Sequence, residues 1–415
     1  MESIQERFTS ALLRRIRRAK NTVPPSEKAL PAKSGAVSPA KLREARFSDF
    51  PAVEALKRRW GLTADSLENW ERLWHRNPAI TETQATRPIG WILETDRSIV
   101  GYLGNISSTY RYGDETLSAV TAHGLVVDPA YRALSLTLVA AYFRQKAVDL
   151  FISTTAIEAV GKIALAFKAV PLPQADYDKV LFWVLRYRGF SQSLIKKLNI
   201  RPAMSSIAGA AVAVGVGADT LLRGRRPPTP SRSSDFEIKE ISASAIGGDF
   251  QALWSEKLAE SKAKPRLIAV RNPETLRWHF EDRGDEEAVR VLCCYRQNEL
   301  LGYAVLCNEA RRRRSTIADM LVRQDDPKVV GALWAAAYKR AKQAGSDTLE
   351  ILGFPPNMRQ VGAKWKPYSR RFPACPFFYK AADPALHNTL SDGAAWYACP
   401  FDGDASLIRP SSRTS

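Results

Sequence analysis

The sequence predicts an α/β fold (α+β) built from two tandem copies of one domain. The first observation is a repeated strand end of two apolar residues followed by Gly and Tyr, at residues 99–102 (IVGY) and 300–303 (LLGY). The second is a Trp-His pair upstream of each motif, at residues 74–75 and 278–279. The Trp precedes the Gly by 27 residues in the first copy and by 24 in the second. The same order at similar spacing is typical of an internal duplication.

The first copy reads as a helical lead-in followed by a sheet. Apolar residues at helical spacing predict helices, whereas β-branched and alternating runs predict strands. After a helical segment at 50–75, the predicted elements are strands at 90–94, 99–106 and 117–127, a helix whose apolar face includes Leu134 and Leu138, a strand at 150–154, a helix at 158–170 and a strand at 177–184. This order predicts a mixed, mostly antiparallel sheet flanked by helices.

The second copy repeats this order more loosely. Its predicted elements are a helical lead-in within 236–283, a hairpin of strands at 289–295 and 300–307, a strand at 317–322, a helix at 329–344, a strand at 348–352, a helical segment at 356–365 and a closing strand at 377–379. The turn and cap residues between these segments support the boundaries.

Composition excludes a disordered chain, because 45% of the 415 residues are hydrophobic and 25% are charged. The net charge of +18 is concentrated outside the predicted domains. Residues 1–46 hold an excess of seven positive charges and residues 191–235 an excess of five. Such placement favours contact with an anionic surface over a basic catalytic groove, and makes nucleic acid the less favoured partner. Solvated charge without a partner is the alternative.

We therefore divide the chain into a basic tail and flexible linker (1–44), a first domain (45–192), an inter-domain helix with a Pro/Arg-rich linker (193–235) and a second domain (236–410). Residues 8–18 predict a basic amphipathic helix that lies on an anionic inner membrane, with a frayed tail as the alternative. Residues 204–222 predict an inter-domain or membrane-surface helix, because polar residues and small side chains make a spanning helix unfavourable.

Cysteine and histidine usage gives no sign of a metal site. The five Cys residues show no metal-ligand spacing, which fits a reduced, cytoplasmic protein. The four His residues lie far apart in the sequence.

The third predicted strand ends in the sequence VDPAYR at residues 127–132 and leads into a helix. Together with the polar turn before Gly-Tyr and the ALAF helix at 164–167, this order resembles the GCN5-related N-acetyltransferase (GNAT) family. The resemblance covers residues 45–190 well and 236–380 more loosely. It implies transfer of an acetyl or other acyl group from acetyl-CoA or another acyl-CoA to an amine or hydroxyl.

The resemblance also implies where the cofactor binds. Main-chain groups of three strand residues would meet pantetheine, and the following loop would present amides to the pyrophosphate at a helix start. These positions are Leu125, Val126 and Val127 for pantetheine, and Arg132, Ala133, Leu134, Ser135, Leu136 and Thr137 for the pyrophosphate. This chain has Ser135 and Thr137 where the family has glycines, so the phosphate loop departs from the family pattern.

Catalytic candidates are fewer. The family's Tyr acid position corresponds to Phe167, which cannot donate a proton, so Tyr177 is the candidate acid. Glu94 is the candidate base, with Glu158 as a second choice. In the C-terminal segment, Asp402 and Asp404 are candidate substrate-binding residues, with a structural turn as the alternative.

The second copy has two carboxylates and Pro327 where a phosphate loop would stand, so we expect it to bind no coenzyme A. The favoured function is an acyltransferase whose acceptor is a small molecule, for example a sugar of a bacterial cell-envelope polysaccharide pathway. Two alternatives stay open: a non-catalytic binding or scaffold protein of GNAT-like fold, and a Fem-type aminoacyl transferase.

Overall fold

The structure is a computed structural model that describes residues 38–62, 65–83, 87–197, 213–230, 235–281, 288–372 and 377–407. The predicted basic helix at 8–18 and the first part of the predicted helix at 204–222 lie outside these residues. The described residues from Ala40 onward belong to one compact unit.

The first half of the chain forms the predicted strands and helices, and also two strands and two helices that were not predicted, at Lys41–Glu44, Val170–Pro171, Pro78–Thr83 and Tyr187–Lys197. The strands are β1 (Lys41–Glu44), β2 (Gly90–Glu94), β3 (Ile99–Tyr112), β4 (Glu115–Val127), β5 (Leu150–Ser153), β6 (Val170–Pro171) and β7 (Lys179–Val184). The helices are α1 (Phe50–Arg59), α2 (Leu67–Trp70, continued by a π-helical turn over Glu71–His75), α3 (Pro78–Thr83), α4 (Ser135–Phe143), α5 (Glu158–Ala166), α6 (Tyr187–Lys197) and α7 (213–222).

The second half follows the same order. Its strands are β8 (Glu237–Ile241), β9 (Ile268–Ala269), β10 (Val289–Arg296), β11 (Glu299–Glu309), β12 (Arg314–Val322), β13 (Thr348–Ile351), β14 (Tyr368–Arg371) and β15 (Phe378–Ala381). Its helices are α8 (Gly248–Ala263), α9 (Pro273–Phe280), α10 (Pro327–Gln343), α11 (Pro356–Ala363) and α12 (Pro384–Leu390).

Two mixed sheets result, which confirms the predicted fold class. The first sheet has the strand order β1-β2-β3-β4-β5-β15-β6, with β9 paired to β3, and the second has the order β14-β7-β13-β12-β11-β10-β8. Within each sheet, as described, one pair is parallel, β4 with β5 and β12 with β13, and the other pairs are antiparallel.

The two sheets exchange strands near their parallel pairs. β15, from the second half of the chain, pairs with β5 in the first sheet, and β7, from the first half, pairs with β13 in the second sheet. Each half therefore supplies a strand to the other half's sheet. The sequence pattern predicted strands at these positions but gave no sign of which sheet each would join, because a short apolar run fits either edge.

Helices cover both faces of the first sheet. On one face, Val53 and Leu56 of α1 pack with Tyr102 of β3 in a buried cluster. On the other face, Leu138 of α4 packs against Val120 of β4 and its neighbours. Burial on both faces explains why these strands are apolar along most of their length.

The repeated Gly-Tyr motif has a packing reason in both halves. A Cβ atom on Gly101 would lie 2.8 Å from a side-chain carbon of Leu93, and one on Gly302 would lie 2.8 Å from the carbonyl oxygen of Leu321. The following residues, Tyr102 and Tyr303, are both buried. Each motif therefore marks a close approach of neighbouring strands beside a buried ring.

We predict that Gly302→Ala lowers the free energy of unfolding by about 1–3 kcal/mol, because the added methyl group meets backbone that cannot move freely. The control is Gly215→Ala in α7, where no described atom lies within 4 Å of the added carbon. In a helix Ala is favoured over Gly by about 1 kcal/mol, so this variant should be unchanged or more stable. Urea denaturation of both variants checks the prediction, and equal stability of the two would contradict it.

Candidate active site

The first sheet opens into a gap between its two parallel strands. β4 and β5 pair over Ala119–Thr121 and Leu150–Ile152. Beyond Thr121 and Ile152 the described strands no longer pair, so the last residues of β4 turn their main-chain groups on that side toward the gap. Tyr142 of α4 closes the apex, since its hydroxyl lies 2.8 Å from the carbonyl oxygen of Val120 and 2.9 Å from that of Ile152.

The predicted cofactor-binding residues follow one another from the end of β4 to the first turn of α4, and Val126 among them is buried. Leu125, Val126 and Val127 end β4. A 3-10 helix, Pro129–Leu134, contains the next three candidates and runs directly into α4, whose first turn holds Ser135, Leu136 and Thr137. No residue of that 3-10 helix is buried, so the described loop is open to solvent.

The amides of this loop are partly used within the chain. The Ser135 N–H donates to the carbonyl oxygen of Arg132, and the Ala130 N–H donates to the side chain of Asp128 at 3.1 Å. The loop thus lacks the extended, glycine-lined form that the resemblance implies for a phosphate site. What it offers an anion is the exposed start of α4 and the exposed side chain of Arg132.

Two exposed apolar side chains lie at the starts of the helices that follow the two gap strands. Leu136, in the first turn of α4, is 50% exposed, and Ile157, which precedes α5, is 68% exposed. Leu125 and Val127 are partly buried against the cluster under α4. The α4 side of the gap therefore presents apolar surface next to the start of a helix.

The opposite side of the gap is occupied by the C-terminal segment of the chain. Asp404 is fully buried. Its Oδ1 accepts hydrogen bonds from the hydroxyls of Thr154 at 2.9 Å and Thr155 at 3.0 Å, and its own N–H donates to the Thr154 hydroxyl at 3.1 Å. Gly403 lies over Thr154 with a φ of +67°, where an added Cβ would be 2.6 Å from that side chain. The sequence Gly403-Asp404 is therefore shaped to enter the gap.

His123 of β4 is the second buried charged group at the gap. Its Nδ1 lies 3.3 Å from Asp404 Oδ2, and its Nε2 lies 3.7 Å from Asp65 Oδ2. Burial disfavours the imidazolium, but the contacts with Asp404 and Asp65 outweigh burial and raise the pKa of His123 to about 9. At neutral pH the ring is therefore protonated and carries a proton that it can release only at higher pH.

A buried lysine completes this network. Lys57 Nζ donates to Asp65 at 2.7 Å and to Glu54 at 2.9 Å. Burial opposes ionisation of Asp65, but the nearby His123 ring and the charge of Lys57 prevail, so the pKa of Asp65 lies well below its usual range. Asp65 therefore stays ionised beside the imidazole.

A pocket adjoins the closed end of the gap, between β3, β4, the lead-in to α9 and the C-terminal segment. The empty space within and above it, open solvent included, is about 460 Å³. Its walls include Ser108, Thr121, Trp278, Phe401 and Gly403. The described lining residues include no carboxylate, Lys or Arg. The walls therefore combine hydroxyls with aromatic rings.

Two of the pocket hydroxyls are buried without a partner among the described residues, Ser108 Oγ and Thr121 Oγ1. Thr121 is only 1% exposed, and leaving a buried polar group unpaired costs about 1–3 kcal/mol. Thr121 is the last residue of β4 that pairs with β5. A polar ligand bound in the pocket could supply the missing hydrogen-bond partner of its hydroxyl.

Asp402 plays a different part from Asp404. Its Oδ1 accepts a hydrogen bond from the Tyr110 hydroxyl at 2.9 Å and its Oδ2 accepts one from the Cys399 N–H at 2.8 Å. Burial outweighs these bonds and the nearby charge of Arg271, and raises the pKa of Asp402 to about 6. These contacts fix the turn of the C-terminal segment and hold it against β3. A substrate-binding role for Asp402 stays a prediction.

The two predicted catalytic residues lie elsewhere. Glu94 ends β2 and is held by Arg43 of the edge strand β1, with a bond of 2.7 Å from Arg43 Nε. Tyr177 packs on Phe377 and lies within 3 Å of a Cβ built on Gly353. It therefore belongs to the second half's core, because the chain crosses to the second sheet just after it. The structure does not bring either residue together with His123.

The second half has a corresponding gap, which the chain fills itself. β12 and β13 pair over Arg314–Ile317 and Thr348–Ile351. Beyond this, the Tyr397 hydroxyl donates to the Met320 carbonyl at 2.7 Å, and the Phe354 N–H donates to the Ala398 carbonyl at 2.8 Å.

At the start of α10, Asp326 caps the helix by accepting a hydrogen bond from the Lys328 N–H at 2.8 Å. That this half binds no coenzyme A stays a prediction.

Sequence reasoning missed His123, Asp65 and Thr154. A signal for His123 was present, since period-two alternation along β4 places it on the same face as Thr121. No pattern in the sequence could have shown that Asp404 lies against it, because the two are 281 residues apart.

We predict that stability falls as pH rises from about 6.5 to 9. The pKa of His123 is about 9 in the folded protein and about 6.5 in the unfolded chain. The protonated ring therefore stabilises the fold fully below pH 6.5, and this stabilisation is lost as His123 deprotonates. The full loss is on the order of 3 kcal/mol. Urea denaturation at several pH values should show this slope in the wild type and in His75→Gln, whose side chain is exposed, but not in His123→Gln. An unchanged slope in His123→Gln would contradict the assignment.

Comparison with known structures supports the fold. A GCN5-related N-acetyltransferase from Kribbella flavida matches with a TM-score of 0.51 at 12% identity, over 84% of this chain and 73% of that chain. One from Anabaena variabilis matches with a TM-score of 0.51 at 7% identity, over 83% and 73%. No protein-family model matches the sequence, and neither does any curated protein. Identities this low show shared architecture, so the chain has a GNAT-like fold, as the sequence resemblance implied.

Proposed function

We propose that the first half of the chain transfers an acyl group from an acyl-CoA to an amine or hydroxyl of a small acceptor. The observation that carries this proposal is the gap between β4 and β5. On one side it opens toward the exposed start of α4, and on the other it meets the buried pair His123 and Asp404, next to a pocket that Thr121 and Gly403 help to line. A donor and an acceptor could thus approach the same point from opposite faces of one sheet.

The apolar surface on the donor side suits an acyl-CoA better than the loop at 129–134 suits its phosphates. Acyl-CoA supplies an acyl group activated as a thioester. The free main-chain groups at Leu125 and Val127 suit the amides of a pantetheine arm, and Leu136 and Ile157 suit its carbon chain. The exposed start of α4 and Arg132 would hold the pyrophosphate. The side chains of Ser135 and Thr137 leave less room for the phosphates than glycines at these positions would.

On the acceptor side, the chain's own groups handle the proton. The attacking amine or hydroxyl must lose one proton as it bonds to the acyl carbon. His123 is the group at the gap that can take this proton at Nε2, once the ring has lost its own. The carbon–sulfur bond of the thioester breaks, the coenzyme A thiolate leaves, and the proton held by His123 can pass to it. Asp404 holds Nδ1 and stabilises the imidazolium that forms. Burial lowers the pKa of His123, but the contacts with Asp404 and Asp65 outweigh burial and raise it to about 9. Transfer should therefore favour mildly alkaline conditions.

The pocket favours a neutral acceptor with several hydroxyls. Its walls offer the unpartnered hydroxyls of Ser108 and Thr121, and the rings of Trp278 and Phe401 offer flat apolar surface. A charged acceptor would find no opposite charge among the described lining residues. A sugar combines hydroxyls with an apolar face and therefore suits these walls. We propose that the acceptor is an amine or hydroxyl of a sugar.

Calorimetric titration with acetyl-CoA tests the donor side. We expect binding to the wild type and an affinity reduced roughly tenfold or more in Leu136→Glu, because a carboxylate at the helix start repels the pyrophosphate. Leu165→Glu is the matched control, since Leu136 and Leu165 are each 50% exposed, and it should bind as the wild type does. Absence of binding to the wild type at millimolar acetyl-CoA, or equal loss in both variants, would overturn the proposal.

A further inference from the structure

Helix α7 presents an apolar stripe to solvent. Val214, Ala218, Leu221 and Leu222 recur at positions i, i+4, i+7 and i+8, which places them on one face of a helix. Val214 is 72% exposed, Leu221 82% and Leu222 87%. Large aliphatic side chains this exposed, and grouped on one face, are characteristic of a surface that meets a partner.

The other face of α7 is fixed to the second sheet. The hydroxyls of Thr220 and Tyr368 are 2.9 Å apart, and the Arg225 guanidinium stacks 3.9 Å above the Tyr368 ring. Just after the helix, the Arg226 N–H donates to the Trp365 carbonyl at 3.0 Å. These contacts hold the helix so that its apolar stripe faces outward.

Positive charge borders the stripe. Asp219, the one carboxylate within 213–222, already pairs with Arg225 at 2.9 Å and with Arg223 at 2.7 Å. Arg226 is exposed, and Lys366 Nζ lies 3.7 Å from a Cβ built on Gly224. The border of the stripe therefore carries net positive charge, which complements an anionic surface.

We propose that the α7 stripe docks on a lipid bilayer that carries anionic head groups. Leu221, Leu222 and Val214 would enter the boundary between head groups and acyl chains, and Arg226 and Lys366 would face the phosphates. Among the described residues no helix is long and apolar enough to cross a membrane.

Two other occupants fit the stripe less well. A second copy of the chain would bring the same cations face to face, which is repulsive. The exposed face of the described part of α7, residues 213–222, also falls short of the roughly 1,000 Å² that a stable protein interface buries. A bilayer has neither difficulty, because it supplies negative charge and needs no complementary shape.

Vesicle co-sedimentation of the full-length protein tests the proposal. The probes are vesicles of phosphatidylcholine alone and of phosphatidylcholine mixed with phosphatidylglycerol. We expect the wild type to bind the mixed vesicles, more weakly in high salt, and Leu221→Glu/Leu222→Glu to lose roughly tenfold or more in affinity. The matched control is Leu42→Glu/Leu67→Glu, which makes the same change in charge at two exposed leucines, 40% and 51% exposed, in the first half.

The control should bind as the wild type does. Vesicle binding that is absent in the wild type, or unchanged in Leu221→Glu/Leu222→Glu, would overturn the proposal. So would a wild-type dimer in solution that this variant converts to a monomer, because a second copy would then cover the stripe. Acetyl-CoA titration of the same variant, expected to be unchanged, shows that the protein is folded and keeps this result separate from the test of the acyl-transfer site.

Discussion

The first-half site depends on one buried contact, the pairing of Asp404 with His123 and Thr154. Asp404 comes from the C-terminal segment, whereas His123 and Thr154 belong to strands β4 and β5 or directly follow them. Removing one partner from a buried charged pair typically costs about 3–5 kcal/mol, so the segment and the gap stabilise each other. Without Asp404, the His123 ring would lose its nearest carboxylate. The gap would also lose the side chain that contacts Thr154 on the side opposite α4.

The strand exchange makes this contact possible. Because β15 joins the first sheet beside β5, the chain that follows it starts close to the first gap. Residues 396–399 then fill the second gap, and residues 402–407 reach the first. The C-terminal segment thus fills the gap of the second sheet and contributes Asp404 to the candidate site at the gap of the first sheet. The two halves are alike in architecture and differ in what the C-terminal segment places in each.

Much of the fold could be predicted from the sequence, because each strand and helix carries its own period and the Gly-Tyr motif marks the same close approach twice. The two halves also share a buried lysine that the sequence pattern did not predict. Lys57 in α1 and Lys257 in α8 are 2% and 3% exposed, and each binds a glutamate three residues away and a more distant aspartate. The site was harder to predict, because it depends on pairings across some 280 residues. Sequence reasoning named Asp404 as a candidate and predicted a cofactor surface from the end of β4 to the start of α4, which stays a prediction, but it did not name His123, which Asp404 contacts.

Amide hydrogen exchange in the presence of excess acetyl-CoA tests most directly that the working site lies at the first gap alone. We expect slower exchange at residues 122–127, at 135–137 and in the C-terminal segment at 402–407, with no change at 318–322 or 327–329. Protection centred on the second gap, or no protection around β4 and the start of α4, would contradict it.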